Sequence, residues 1–107
     1  MSFRVRISAE AEADLASIVD FISVRESISR AELVEERILD VLDQLETMSE
    51  SGRVVPELQR QGVLVYRELL AAPWRVLYRV AGREVRVVAI VDGRRDMYEL
   101  LHERLRR

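Results

Sequence analysis

With 107 residues, one His and no Cys, the chain has the length of one modest domain and no thiolates for disulfides or a cysteine zinc site. Its 49% hydrophobic and 34% charged residues are those of an ordinary globular protein. No apolar run approaches the roughly 20 residues of a membrane-spanning helix, and Met1-Ser2-Phe3-Arg4 leads straight into a strand pattern, unlike a signal peptide. A single cytoplasmic domain over residues 1–107 is expected. The net charge of −2 conceals an asymmetry: Met1 to Ser51 carries 12 Asp and Glu against 5 Arg, Gly52 to Arg107 carries 7 against 12, and there is no Lys. Arginine alone fits either a GC-rich coding bias or bidentate contacts to carboxylates and phosphates.

In chain order, Phe3, Val5 and Ile7 alternate with Arg4 and Arg6 as a short strand. Ser8 is a suitable N-cap, and Glu10, Glu12 and Asp14 place negative charge at the positive end of the next helix. Ala11, Leu15, Ile18, Val19 and Ile22 recur at helical spacing, which predicts a helix over Ala9–Ser23. Ser29-x-x-Glu32 fits a capping box opening a second helix, Ser29–Met48, whose stripe is Val34, Ile38, Val41, Leu42, Leu45 and Met48. Gly52 is expected as its left-handed stop. A link of only a few residues between the helices implies an antiparallel hairpin.

Arg53 to Gly62 reads as a connector, and three strands follow. Leu64, Tyr66, Glu68 and Leu70 alternate with Val65, Arg67 and Leu69. Trp74, Val76, Tyr78 and Val80 alternate with Arg75, Leu77 and Arg79. Val85, Val87, Ala89 and Val91 alternate with Arg86, Val88, Ile90 and Asp92. Period-two alternation implies antiparallel strands with one buried face, and Ala81-Gly82-Arg83 suits a tight hairpin. Met97, Leu100, Leu101 and Leu105 suggest a short C-terminal helix. The expected fold is α+β, in the order β-α-α-β-β-β-α, with the helical hairpin packed on a largely antiparallel sheet of about four strands.

If Trp74, Val76, Tyr78 and Val80 face the helices, Arg4, Arg6, Arg75 and Arg79 project from the other side, joined by Arg67 and Arg86 and edged by Arg94 and Arg95. Such a face is either a site for polyanions or acidic protein surface, or a solvated face neutralised by Glu57, Glu68 and Glu84. His102 reads as a surface residue. No metal or cofactor site is expected, and the four glycines are isolated rather than gathered in a phosphate loop. Tyr98 beside Arg94 and Arg95 is either a proton-transfer group or a residue packing its helix on the sheet. A phenol of pKa about 10 is a poor base at neutral pH.

The ordered set SGRVVPEL, VYRELL, WRVLYRV and VVAIVDGRRD, preceded by AEAEADLASIVDFI, resembles the RelE/ParE toxin superfamily of bacterial toxin–antitoxin systems across nearly the whole chain. The resemblance implies a cognate antitoxin, a hetero-oligomer with it, and one of three activities. ParE-like members act on DNA gyrase by binding; RelE-like members are ribosome-dependent mRNA endoribonucleases; a third possibility is an inactive module that binds its antitoxin and tunes transcription. Arg67, Arg95 and Tyr98 match positions used by RelE-like enzymes. Against that, the lysines many such members place before the second strand are missing, and Asp92 stands where some carry His. The GR-x-x-PEL and YREL phrases are closer to ParE. The ParE-like reading is preferred, with Arg67, Arg75, Arg79, Arg94, Arg95, Asp96 and Tyr98 as the expected target-binding residues.

Overall fold

Ser8 turns the chain from strand to helix in the computed structural model, which describes residues 2–106. Its hydroxyl accepts from the Ala11 N–H at 3.0 Å, and Glu10 and Glu12 occupy the first turn. The first strand is therefore β1 (Arg4–Ile7) and the first helix α1 (Ala9–Arg25). The second helix, α2 (Ile28–Gln44), begins one residue before the expected Ser29, and its cap lies two residues before the expected one. Ser27, not Ser29, is the N-cap and accepts from the Arg30 N–H at 3.0 Å. Because α2 ends at Gln44, Met48 lies beyond it and is exposed rather than part of the apolar stripe.

The expected connector is structured. It contains β2 (Arg53–Val54) and a single-turn helix, α3 (Pro56–Gln59), with Pro56 at the helix start where its missing N–H costs nothing. Then come β3 (Tyr66–Ala71), β4 (Trp74–Ala81), β5 (Glu84–Asp92) and α4 (Met97–Arg104). β3 begins at Tyr66, so Leu64 and Val65 lie outside it and are exposed. The sheet order is β1-β5-β4-β3-β2, with β1 parallel to β5 and the other pairs antiparallel. The fifth strand, beyond the four expected, is the two-residue β2. Gly82 takes φ +65° in the two-residue link between β4 and β5, a conformation a side chain would disfavour.

Two cores result. Ile18, Ile22, Val34, Ile38, Leu42 and Leu45 of the hairpin region pack on Val76, Tyr78, Val85, Val87 and Ile90. Leu15, expected among them, is only half buried at the rim. On the other side of the sheet Leu77, Ala89 and Val91 are covered by Val55 and Leu58 around α3 and by Met97 and Leu101 of α4. The sheet is covered on both faces here, so the open arginine face expected from alternation does not exist at this end.

A bulge explains how β5 serves both cores. Leu77 pairs with Ala89 but Tyr78 with Val87, leaving Val88 as the extra residue. The alternation therefore changes phase: Val85 and Val87 face the hairpin, whereas Ala89 and Val91 face α4. Asp14 and Arg104 satisfy the disrupted backbone. Asp14 accepts from the Ile90 N–H at 3.0 Å, and Arg104 donates to the Val88 carbonyl at 3.0 Å and to both Asp14 oxygens at 2.9 and 3.1 Å. Asp14 thus ties α1, the bulge and α4 together, rather than acting on the helix dipole.

Leu42 is 4% exposed in the first core. Leu42→Ala is expected to cost about 2–5 kcal/mol, measured by urea denaturation; a loss under about 0.5 kcal/mol would mean that another face of α2 carries the packing.

Candidate functional site

The turn after β5 is built by Asp92 and Gly93. The Asp92 carboxylate accepts from the Arg94 N–H at 2.9 Å and pairs with the Arg94 guanidinium at 2.9 and 2.6 Å. Those hydrogen bonds hold its carboxyl below the usual range. Gly93 donates to the Pro73 carbonyl at 2.9 Å, and a Cβ there would come within 2.9 Å of Arg75 and 3.2 Å of that carbonyl. Asp96 closes the turn as the N-cap of α4, accepting from the N–H groups of Tyr98 and Glu99 at 3.1 and 3.3 Å. Both turn arginines are exposed, and among the described residues Arg94 alone of the two is held by a side-chain ion pair. Arg95 lies over a wide acidic-edged hollow with Glu10, Glu99, Glu103 and Arg104.

Arg75 does not reach the surface. It is 7% exposed, donates through Nε to Glu68 at 2.5 Å, and grips both oxygens of Glu57 at 2.9 and 2.8 Å. Glu68 accepts from Arg53 with its other oxygen at 2.6 Å. The chain Arg53–Glu68–Arg75–Glu57 joins β2, β3, β4 and α3. The alternative of neutralisation by Glu57 and Glu68 therefore describes Arg75. The Glu57 carboxyl is held below its ordinary pKa chiefly by the Arg75 hydrogen bonds.

Arg67 also departs from the expected face. It pairs in register with Tyr78, which belongs to the hairpin core, and donates to the Gly52 carbonyl at 2.9 Å. Gly52 in turn donates to the Tyr78 hydroxyl at 3.0 Å. Gly52 has no positive φ and is not a left-handed cap. A Cβ on it would stand 2.5 Å from both the Glu68 carbonyl oxygen and the Tyr78 hydroxyl, so it is small because β3 and β4 press on it.

Arg79 keeps the expected side. Its guanidinium lies 5.8 Å from the Tyr66 ring centre, and its Nε is buried without a hydrogen-bond partner. Arg79 is opposite Arg86, which is opposite Arg6, and Glu84 pairs with Arg86 at 2.7 Å and with Arg6 at 3.5 Å. Tyr98 is 43% exposed; its hydroxyl accepts from Arg60 at 3.2 Å. With Tyr66, Leu58, Leu101 and His102 it lines a groove of about 290 Å³ between α3 and α4.

The structure thus brings Arg94, Arg95 and Asp96 together in one turn and sets Tyr98 in the first turn of the helix that follows. Arg75 is internal, Arg67 is on the hairpin side, and Arg79 is on the opposite side with Tyr66. Arg60 escaped sequence reasoning, because an exposed arginine in a polar connector carries no pattern. Among the described residues no group of three or more His, Cys, Asp or Glu could hold a metal ion, and no helix is long and apolar enough to cross a membrane.

A family profile described as the ParE toxin of the type II toxin–antitoxin system parDE matches residues 5–97. The chain belongs to the ParE toxin family. The match runs from the second residue of β1 to the first residue of α4, and includes the Gly93–Asp96 turn but not Tyr98. Among solved structures, a chain of the chromosomal ParDE toxin–antitoxin system of P. aeruginosa superposes with a TM-score of 0.70 at 24% identity, covering 85% of this chain and 96% of that one. A chain of the RelBE2 toxin–antitoxin complex of Mycobacterium tuberculosis superposes with a TM-score of 0.51 at 16% identity, covering 86% and 99%. These likenesses confirm the α+β fold of ParE and RelE-like toxins. The search of curated proteins gives no match.

Proposed function

We propose that this ParE-family chain works as one toxin domain that inhibits DNA gyrase by binding it and is neutralised by a cognate antitoxin in a hetero-oligomer. The observation that carries the reading is the family match over residues 5–97. The geometry supports binding over cutting. Phosphodiester cleavage needs a base for the attacking hydroxyl and a cation for the developing charge, acting at one point. Arg67, Arg95 and Tyr98 do not meet: Arg67 is committed to Gly52 on the hairpin side, while Tyr98 sits with Arg60 on the α3–α4 side. Binding requires instead a fixed, exposed patch, and the Asp92-braced turn with the start of α4 provides one. Arg94, Arg95 and Tyr98 form its proposed contact set, with Asp96 holding the helix start in place.

Two assays on purified toxin test this: DNA supercoiling by gyrase, and cleavage of mRNA on translating ribosomes. The expected result is inhibited supercoiling, intact mRNA, and restored gyrase activity when the cognate antitoxin is added. Cleaved mRNA with gyrase unaffected would replace the reading by the RelE-like one; a chain inert in both assays that still binds its antitoxin would replace it by the regulatory module.

A further inference from the structure

Beyond the cover of α4 the sheet keeps a row of arginines. The residues around α3 and those of α4 pack on Leu77, Ala89 and Val91. Arg79 stands two residues beyond Leu77 on β4, and its register partners form one line across the sheet: Tyr66 on β3, Arg79 on β4, Arg86 on β5 and Arg6 on β1. Val85 and Val87 face the hairpin, so Arg86 between them points the other way, and the row with it. Neighbouring strands are about 4.8 Å apart, which sets the three arginines over about 10 Å at the backbone. A DNA strand carries one charge per roughly 3.4 Å of helix axis, so about three phosphates fit along that length.

The charge of this row is only partly compensated. Arg6 and Arg86 are exposed and share Glu84, at 3.5 and 2.7 Å. Exposed pairs of this kind are weak and yield to a competing anion. Arg4, in register with Glu84, adds a fourth arginine to the face. Arg79 lies against the Tyr66 ring, and its buried Nε has no hydrogen-bond partner among the described residues. The opposite layer has the reverse sign, because α1 and α2 carry 9 Asp and Glu against 3 Arg. The net charge of −2 is therefore divided between two faces, and a polyanion is attracted to one of them. Next to the row, Tyr66 borders a hollow of about 300 Å³ with Ser8, Glu10, Val88 and Leu105. A cavity of about 150 Å³ holds a benzene ring, so a pyrimidine has room there. Glu10 repels a phosphate from the hollow and leaves it to the base.

We infer that this sheet face binds a single strand of DNA, with successive phosphates on Arg6, Arg86 and Arg79 and a base stacked on Tyr66. A basic row beside an aromatic platform is the arrangement that holds single strands without reading their sequence. An acidic peptide could pair with the row but has no planar base for Tyr66. The choice of DNA over RNA rests on the gyrase reading above, and on the apolar walls Val88 and Leu105, which suit the methyl group that thymine has and uracil lacks. The phosphate row itself does not depend on that reading.

The experiment titrates a fluorescently labelled fifteen-nucleotide oligothymidine with the full chain and follows its anisotropy, beside oligouridine and oligoglutamate of the same length. Saturable binding of the DNA is expected, about threefold tighter than that of the RNA. The slope of log affinity against log salt should be about −2, from about −0.7 per phosphate over three contacts. Arg6→Gln with Arg86→Gln, both on exposed positions and checked by circular dichroism, should weaken binding roughly tenfold or more and flatten the slope. Arg30→Gln with Arg37→Gln on the hairpin makes the same change in net charge and should leave binding within about twofold. Tyr66→Leu should weaken binding at an unchanged salt slope, and Glu84→Gln, which removes the competing carboxylate, should strengthen it roughly threefold. Oligoglutamate binding as tightly as DNA, equal losses in the two double variants, or no binding up to about 100 μM toxin would each overturn the proposal. RNA binding as tightly as DNA or more so would overturn the assignment to DNA. Inhibition of supercoiling by a toxin that does not bind the oligonucleotide would sink this inference and leave the gyrase reading standing. DNA binding by a toxin that spares gyrase would do the reverse.

Discussion

Replacing Glu68 by Ala is expected to destabilise the fold by about 3–5 kcal/mol, the range for removing one partner of a buried ion pair. Glu68 is fully buried between two arginines, one of which, Arg75, is itself buried. Without it the Arg75 Nε loses its acceptor where water cannot replace it, and Arg53 no longer ties β2 to β3. Arg75→Met, which removes the buried cation but keeps volume, leaves Glu68 with Arg53 and is expected to cost less than Glu68→Ala. Urea denaturation of the three proteins decides: equal stabilities would show that the network contributes nothing beyond packing. Acid tests the other end of the same chain. The Glu57 carboxyl is depressed in the folded state by its hydrogen bonds from Arg75, so the unfolded chain takes up that proton first. Its contribution is present above the ordinary glutamate pKa of about 4.3 and is lost as pH falls through the lower folded value. Glu57→Gln is expected to flatten the stability profile in that acidic window and to leave its shape above about pH 5 unchanged.

That network also marks where the sequence stops being legible. The hairpin is readable because Ile18, Ile22, Ile38, Leu42 and Leu45 repeat at the helical period, and β4 because Trp74, Val76, Tyr78 and Val80 recur at period two between flanking arginines. Alternation identifies the two sides of a strand but not what covers them. Arg75 reads as solvent-facing by its type, and only Leu77, the one apolar residue between Arg75 and Arg79 on that side, hints at cover. The stronger signal is Val87-Val88-Ala89-Ile90-Val91, five apolar residues in a row, which a strand buried on both faces requires and a half-exposed one does not. The bulge at Val88 has no marker of its own type; its partners, Asp14 and Arg104, are 90 residues apart. Gly52 illustrates a different limit. Its position after a helix invites a left-handed cap, yet the reason for glycine is the approach of Glu68 and Tyr78, a property of the sheet rather than of the local chain. For the candidate surface, the Gly93–Asp96 turn is legible as a turn, but the split between a braced Arg94 and a freer Arg95 depends on the Asp92 rotamer.

That split yields the larger functional prediction. Arg95→Glu is expected to weaken inhibition of gyrase supercoiling by about 30-fold or more. Truncating one member of a desolvated charge pair at an interface costs about 2 kcal/mol or more, which is about 30-fold in affinity, and reversal adds repulsion. The fold should be unaffected, because no ion pair within the described chain depends on the Arg95 side chain, and thermal unfolding checks this. Arg94→Glu should act in the same direction but with a confounding element, since the new carboxylate would face Asp92 and disturb the turn. Arg95 is therefore the cleaner position. Tyr98→Phe removes only the acceptor for Arg60 and keeps the ring, so inhibition should stay within about threefold. The two substitutions separate the candidate mechanisms. A surface that binds needs the cation and tolerates the loss of a hydroxyl. A ribonuclease using Tyr98 for proton transfer would lose its activity with the hydroxyl. If Arg95→Glu leaves gyrase inhibition unchanged, the turn is not the contact surface. If Tyr98→Phe abolishes mRNA cleavage while gyrase is untouched throughout, the chain cuts RNA and the binding reading fails.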